Sequence, residues 1–200
     1  LITVSDISRR FLVPTLMDED FIRNNVPMTK EAVRKFSICQ MKIKENDVVY
    51  DIGCGSGSIA VQAGMLSSTV RVYAVECNAE AVELIKKNIA KHKLHNIDVI
   101  QAQAPEGLDN LPAADVAFIG GSKGNLKEIL LKLYNINSSM RVVITAVSME
   151  TICETNSLLE ELSIDNLSVE QVSVNKVKEL GNYHMFSANN PVFIFSFDFV

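Results

Sequence analysis

Apolar positions along this chain follow two rhythms that take turns. Val48–Val49–Tyr50–Asp51–Ile52 is a short, nearly continuous apolar run, the pattern of a strand covered on both faces. It enters Gly53–Cys54–Gly55–Ser56–Gly57, and from Ser58 onward Ile59, Ala60, Val61 and Ala63 suit a helix. The succession then repeats. Val70–Val75 predicts a strand ending in Glu76, and Asn78 is placed to cap a helix over Ala79–Lys93 with Ala81, Val82, Leu84, Ile85 and Ile89 inward. Ile97–Gln101, Asp115–Ile119 and Met140–Val147 predict further strands, with helices over Asn125–Leu133 and Glu150–Leu162. Upstream, Thr29 is the expected N-cap of a helix reaching about Met41, with Glu31 in its first turn. Downstream, Leu167–Val177 alternates as a half-exposed strand, Leu180–Asn190 reads as a long polar and aromatic loop, and Pro191–Phe199 as the last strand.

A βα unit repeated five times, then two strands joined without a helix, predicts an α/β fold. Its sheet has seven strands, mostly parallel, with helices on both faces and an antiparallel last strand. Residues 1–27 lack a clear period and read as an N-terminal arm lying over the domain, and residues 28–200 as a single domain. Ligands of such sheets lie beyond the carboxyl ends of the strands. Those ends are Asp51–Gly57, Glu76, Gln101–Pro105, Ile119–Gly124 and Val147–Ser148.

Composition narrows the partners. With 200 residues and a net charge of −5, and no run of five Lys or Arg, the chain lacks the basic field of a nucleic-acid binder. No apolar run approaches membrane-spanning length, and Leu1–Pro14 has no signal-peptide pattern. Cys39, Cys54, Cys77 and Cys153 are far apart and read as buried reduced thiols of a cytoplasmic protein rather than disulfides or a metal site. His92 and His95 read as solvated, with no third ligand to make a metal centre.

The glycine turn carries the chemistry. Dinucleotide-binding turns read G-x-G-x-x-G, whereas here Gly53, Gly55 and Gly57 make G-x-G-x-G, preceded by the acidic Asp51. Such a loop resembles the S-adenosylmethionine loop of class I methyltransferases, and Glu76, about 20 residues on, is placed to accept ribose hydroxyls. Asp51 either orients the loop or reaches the methionine ammonium through water. Gly120–Gly121–Ser122–Lys123–Gly124 opens a helix and is a candidate cradle for a substrate carboxylate, with Lys123 as a further cation. Arg23 and Lys30 are weaker candidates for a polyanionic substrate, and Tyr183 and His184 are candidate proton donors.

Several stretches agree with one family. Phe21–Ile22–Arg23, Val26–Pro27–Met28–Thr29–Lys30, Tyr50–Asp51–Ile52–Gly53, Ala104–Pro105–Glu106, Ile119–Gly120–Gly121–Ser122 and Asn190–Pro191–Val192 together resemble the CbiT-type, decarboxylating precorrin C15-methyltransferases of cobalamin synthesis. The resemblance runs from about Phe21 to the C-terminus. It implies the class I methyltransferase Rossmann-like fold and S-adenosylmethionine as methyl donor, with S-adenosylhomocysteine as product. The implied substrate is cobalt-precorrin-6B, methylated at C15 with loss of the C12 acetate carboxyl, and the implied assembly is a homo-tetramer. The N-terminal arm and the phenylalanine-rich last strand are the expected contact surfaces. Carried over by position, Thr29, Gly53, Cys54, Gly55, Ser56, Gly57, Glu76 and Ala104 line the cofactor site. Where the family often has Gly-Asp this chain has Ala102–Gln103, so adenine contact falls to the Gln103 amide. The alternatives are a class I methyltransferase acting on another small molecule or an RNA base, and a nucleotide-binding module without turnover.

Overall fold

The computed structural model describes residues 15–200; the expectations placed on residues 1–14, including the first half of the arm, lie outside the described residues. Among the described residues nine strands follow in chain order: β1 (Val48–Ile52), β2 (Arg71–Glu76), β3 (Ile97–Gln101), β4 (Val116–Ile119), β5 (Arg141–Ala146), β6 (Ile164–Val172), β7 (Asn175–Leu180), β8 (Tyr183–Ala188) and β9 (Val192–Phe199). Five α-helices accompany them: α1 (Glu31–Met41), α2 (Ser58–Gly64), α3 (Ala79–Lys91), α4 (Leu126–Ile136) and α5 (Met149–Glu161). Seven strands form one sheet in the order β3-β2-β1-β4-β5-β9-β6, in which β9 is antiparallel to both of its neighbours and the other pairs are parallel.

Alternate residues of the central strands feed two cores. Val49, Val72, Ala74 and Phe118 pack with Val33, Ile59 and Ile85 of α1, α2 and α3 on one face. Tyr50, Ile52, Val142 and Ile144 pack with Ile129, Leu133 and Leu158 of α4 and α5 on the other. This two-sided burial is why the strands read as unbroken apolar runs.

The structure departs from the sequence reading in several places. Between β3 and β4 there is only a 3-10 turn, Glu106–Leu108; Gly107 within it and Pro112 beyond it disfavour a longer helix. Thr29 does not cap α1: the flanking residue is Lys30, without a side-chain cap, and the Glu31 amide donates instead to Asp18 Oδ1 at 2.9 Å. Leu167–Val177 is not one strand, and 180–190 is not a loop. The chain leaves the sheet after β6 and forms a separate antiparallel hairpin, β7–β8, in which Leu180 faces Tyr183 across the two-residue turn Gly181–Asn182. Tyr183, His184, Met185 and Phe186 supply the strand-favouring residues that the loop reading undervalued. The phenylalanine-rich β9 is no contact surface: Phe195, Phe197 and Phe199 are buried in the sheet between β5 and β6. His92 is half-buried rather than solvated, tilted against the Phe21 ring and hydrogen-bonded through Nε2 to the Asp20 carbonyl. Cys39 and Cys153 are exposed rather than buried, and all four cysteines are free.

Residues 15–30 are held down by buried polar groups. Arg34, fully buried in α1, donates to the carbonyls of Leu16 and Thr29 at 2.7 and 2.8 Å, pairs with Asp18 at 3.3 Å and lies over the Phe21 ring. Asn88 of α3, also fully buried, accepts from the Ile22 amide and donates to the carbonyls of Ile22 and Ser56. These bonds carry the segment over the glycine turn.

Candidate active site

Each glycine of the turn between β1 and α2 meets a different neighbour. Gly53, Gly55 and Gly57 all have positive φ, which favours residues without a Cβ. A Cβ on Gly53 would stand 2.3 Å from the Gly121 carbonyl oxygen, and one on Gly55 2.7 Å from that of Pro27. A Cβ on Gly57 would press on Ile85 of α3. The first two glycines therefore admit the β4 loop and the N-terminal segment, and the third admits a helix. The Ser56 amide donates to the Pro27 carbonyl, which closes the turn under that segment.

Glu76 ends β2 beside the turn. Its Oε2 accepts from the Gly55 amide at 3.0 Å, and its Oε1 from the Asn78 amide at 2.8 Å and, at 3.5 Å, from the Cys77 thiol. The carboxylate is 8% exposed, fixed from one side and still able to accept further hydrogen bonds. It lines a cavity of about 350 Å³ beyond the carboxyl ends of β1, β2 and β4. Gly53, Gly55, Gln103, Ala104, Gly120, Gly121, Ser122 and Lys123 line the same cavity, so these predicted positions, drawn from four separate segments, come together. Asn25, Pro27, Cys77 and Asn78 also line it and were missed as site residues. Two of them carried usable signals: Pro27 stands in the quoted Val26–Lys30 stretch, and Asn78 was read only as a helix cap.

Other predicted residues stand outside the lining. Thr29 presents its carbonyl to Arg34 and to Ser58 Oγ. Cys54, Ser56 and Gly57 are the buried side of the turn, and the Gly57 amide donates to the Cys54 carbonyl at 2.8 Å. Asp51 is fully buried; its Oδ2 accepts from the Ala60 amide at 2.8 Å in the first turn of α2. Arg23 is exposed, and Lys30 lines a different cleft. Tyr183 and His184 lie at the turn end of the β7–β8 hairpin, exposed and apart from the cavity lining; His184 Nε2 is 3.9 Å from Glu179.

Burial sets the electrostatics. Loss of water, opposed by the Ala60 hydrogen bond and reinforced by Glu76, pushes the Asp51 carboxyl up to about 7. Burial, with Asp51 and Glu76 nearby, likewise pushes the Cys54 thiol up. Lys123 reaches from the β4 loop to Cys77 at the end of β2, and its ammonium is held above the usual lysine range by that contact. An acidic acceptor on the β2 side and a cation on the β4 side thus flank a mostly apolar cavity.

A seven-stranded α/β sheet with an antiparallel strand inserted beside β5, a G-x-G-x-G turn and a carboxylate ending β2 define a class I methyltransferase. The chain belongs to the precorrin methyltransferase family: residues 20–198 match the family model described as a precorrin methyltransferase domain. A protein of Sulfurisphaera tokodaii, a probable cobalt-precorrin-6B C(15)-methyltransferase (decarboxylating), is 37% identical over 91% of this chain and 96% of its own length. The crystal structure of precorrin-6y C5,15-methyltransferase from Geobacter metallireducens superposes with a TM-score of 0.86 at 33% identity, covering 94% of this chain and all of that one. That of precorrin 8W decarboxylase from Methanobacterium thermoautotrophicum gives 0.83 at 32%, covering 92% of this chain and all of that one.

Proposed function

We propose that this chain methylates C15 of cobalt-precorrin-6B from S-adenosylmethionine and removes the C12 acetate carboxyl as carbon dioxide. The observation that carries this reading is the cavity of about 350 Å³ in which Glu76, Gly53 and Gly121 meet, in a chain whose relatives bear that activity in their names. The residues present suit the methyl donor. Two of the three glycines admit close backbone neighbours at the turn, Glu76 retains acceptor capacity for ribose hydroxyls, and Ile52, Val75 and Ala104 give an apolar floor. Gln103 offers an amide where the adenine is expected.

Bound there, S-adenosylmethionine supplies an electrophilic methyl group on a positive sulfur, so no strong base is needed. The protein's part is to hold the acceptor carbon in line with that methyl, and orientation of this kind is worth roughly 7–11 kcal/mol of barrier. Gly120 to Lys123 hold an acceptor carboxylate by backbone amides and an ammonium. As the carboxyl leaves, the electron pair of the broken carbon–carbon bond passes into the macrocycle, which then takes a proton. Tyr183 and His184, on their own chain's hairpin, are apart from the cavity, and the Lys123 ammonium and the Cys77 thiol are proton-bearing groups that line it. The four free cysteines suit a reducing cytoplasm. Self-association into a tetramer is part of the same reading, with the β7–β8 hairpin, not β9, as the surface between copies.

The test is anaerobic incubation of the protein with cobalt-precorrin-6B and S-adenosylmethionine, followed by mass spectrometry of the tetrapyrrole. Gain of one CH2 with loss of one CO2 is the expected outcome. An unchanged tetrapyrrole, with protein that S-adenosylhomocysteine still stabilises against heat, would discard this acceptor and leave the class.

A further inference from the structure

A second cleft, of about 280 Å³, lies between the start of α1 and the root of the β7–β8 hairpin. Lys30, Lys35 and Lys176 line it together with Asp18, Glu31, Asn189 and Asn190. The charges in it do not cancel. Asp18 is committed to Arg34, and Glu31 to Lys35 at 2.5 Å. Lys30 and Lys176 have no ion pair among the described residues, so two ammonium groups are left for an anion.

The cleft is placed to serve the first one. β5 and β6 both run antiparallel to β9, so they run the same way, and the carboxyl end of β6 at Val172 lies on the same edge of the sheet as those of β1 and β4. Pro27 lines the first cavity and Lys30 the second. Three residues span at most ~10 Å, so the clefts are neighbours across one short strip of backbone. That strip is pinned, because the Thr29 carbonyl accepts from both Arg34 and Ser58. On the far wall, the Asn189 amide donates to the Val174 carbonyl at 3.0 Å and closes the hairpin root beside Lys176. Two of the stretches that carried the family resemblance, ending at Lys30 and starting at Asn190, meet in this cleft although about 160 residues of chain separate them.

We propose that this cleft binds the peripheral carboxylate arms of the acceptor, through Lys30 and Lys176, while the reacting edge of the same molecule occupies the first cavity. The inference rests on the tetrapyrrole reading above, since it needs an acceptor bearing several carboxylates to span both clefts. Each lysine acts by binding and not on the reacting atoms. Its removal raises the KM for the tetrapyrrole and leaves the KM for S-adenosylmethionine alone. Partly solvated pairs of this kind are worth about two- to fivefold each.

Steady-state kinetics with cobalt-precorrin-6B and S-adenosylmethionine test it, using K30Q, K176Q, the double variant, the charge-preserving K30R and K176R, and K91Q on the exposed side of α3 as control. The expected result is a tetrapyrrole KM raised about two- to fivefold per glutamine, multiplied in the double variant and restored by arginine, with kcat and the K91Q enzyme unchanged. Raised salt narrows the gap. A double variant with the wild-type KM overturns the carboxylate cleft and leaves the methyltransferase reading standing. A wild-type enzyme that does not methylate the tetrapyrrole overturns the acceptor assignment and the cleft with it.

Discussion

Gly53 and Gly121 are both glycines of the candidate site, yet only one is forced to be. A Cβ on Gly53 would collide with the Gly121 carbonyl at 2.3 Å and would sit on a backbone at φ +67°, whereas one on Gly121 would meet nothing within 4 Å. Calorimetric titration with S-adenosylhomocysteine should therefore find Gly53→Ala weakened by about tenfold or more, while Gly121→Ala folds with the wild-type melting temperature. Equal behaviour of the two would refute the packing argument. Asp51 separates stability from binding in another way. Its carboxyl, ordinarily at 3.8, is raised to about 7, so the native state holds the proton more tightly than the unfolded chain does. The stability tied to that proton is present below the ordinary value and is lost as pH rises toward 7. Asp51→Asn stays neutral and still accepts from the Ala60 amide. Thermal melts should show the variant gaining on the wild type between pH 4 and 7, by a few kcal/mol in all, and levelling off above; a constant difference would mean that Asp51 does not titrate there. Residues of this kind divide into legible and hidden. Glu76 and the glycines could be read from order and spacing, because the chemistry fixes both. Arg34, Asn88 and Asp18 could not, because a buried polar group that staples distant segments looks in sequence like any surface residue.

Among the elements, the strands and helices that build the sheet were readable because each presents one long-lived periodicity to a core. Asn78 even caps α3 as expected, accepting from the amides of Glu80 and Ala81. The β7–β8 hairpin escaped because it faces no core of its own chain: Asn175–Leu180 is exposed throughout, so the alternation read as far as Val177 has no buried side there and does not mark where the hairpin begins. Its apolar residues are instead turned outward. Val177, Leu180, Tyr183, Met185 and Phe186 are all more than half exposed, on two strands that pair only with each other. A lone hairpin is marginal in water, so these side chains call for a cover, and a second copy of the chain is the one that the tetramer reading supplies. Replacing Tyr183 and Phe186 by serine should lower the mass measured by light scattering on a gel-filtration column while leaving the far-ultraviolet dichroism intact. A wild-type chain that elutes as a monomer would dispose of the idea.

For the molecule as a whole, the two clefts, the glycine turn and the hairpin root all lie at one end of the strands of a single sheet, so the geometry of the site is the geometry of that sheet. β9 decides whether the sheet is continuous. It is the last of the nine strands in sequence, yet it occupies an inner place, bonded to β5 on one side and β6 on the other. On a ribosome, the strands from β1 to β5 can pair as they emerge, but β6 has no neighbour to join until β9 has been made. Until then β5 offers an open edge, with Val142 and Ile144 bared where Phe195 and Phe197 will lie. The nascent chain thus passes through an interval with two unsealed borders, the state in which chains tend to cross-pair. A premature stop before Val192 would make that interval permanent, so quality control has a physical reason to act on a fragment of this enzyme missing only its final strand, with β5 left open and β6 unpaired.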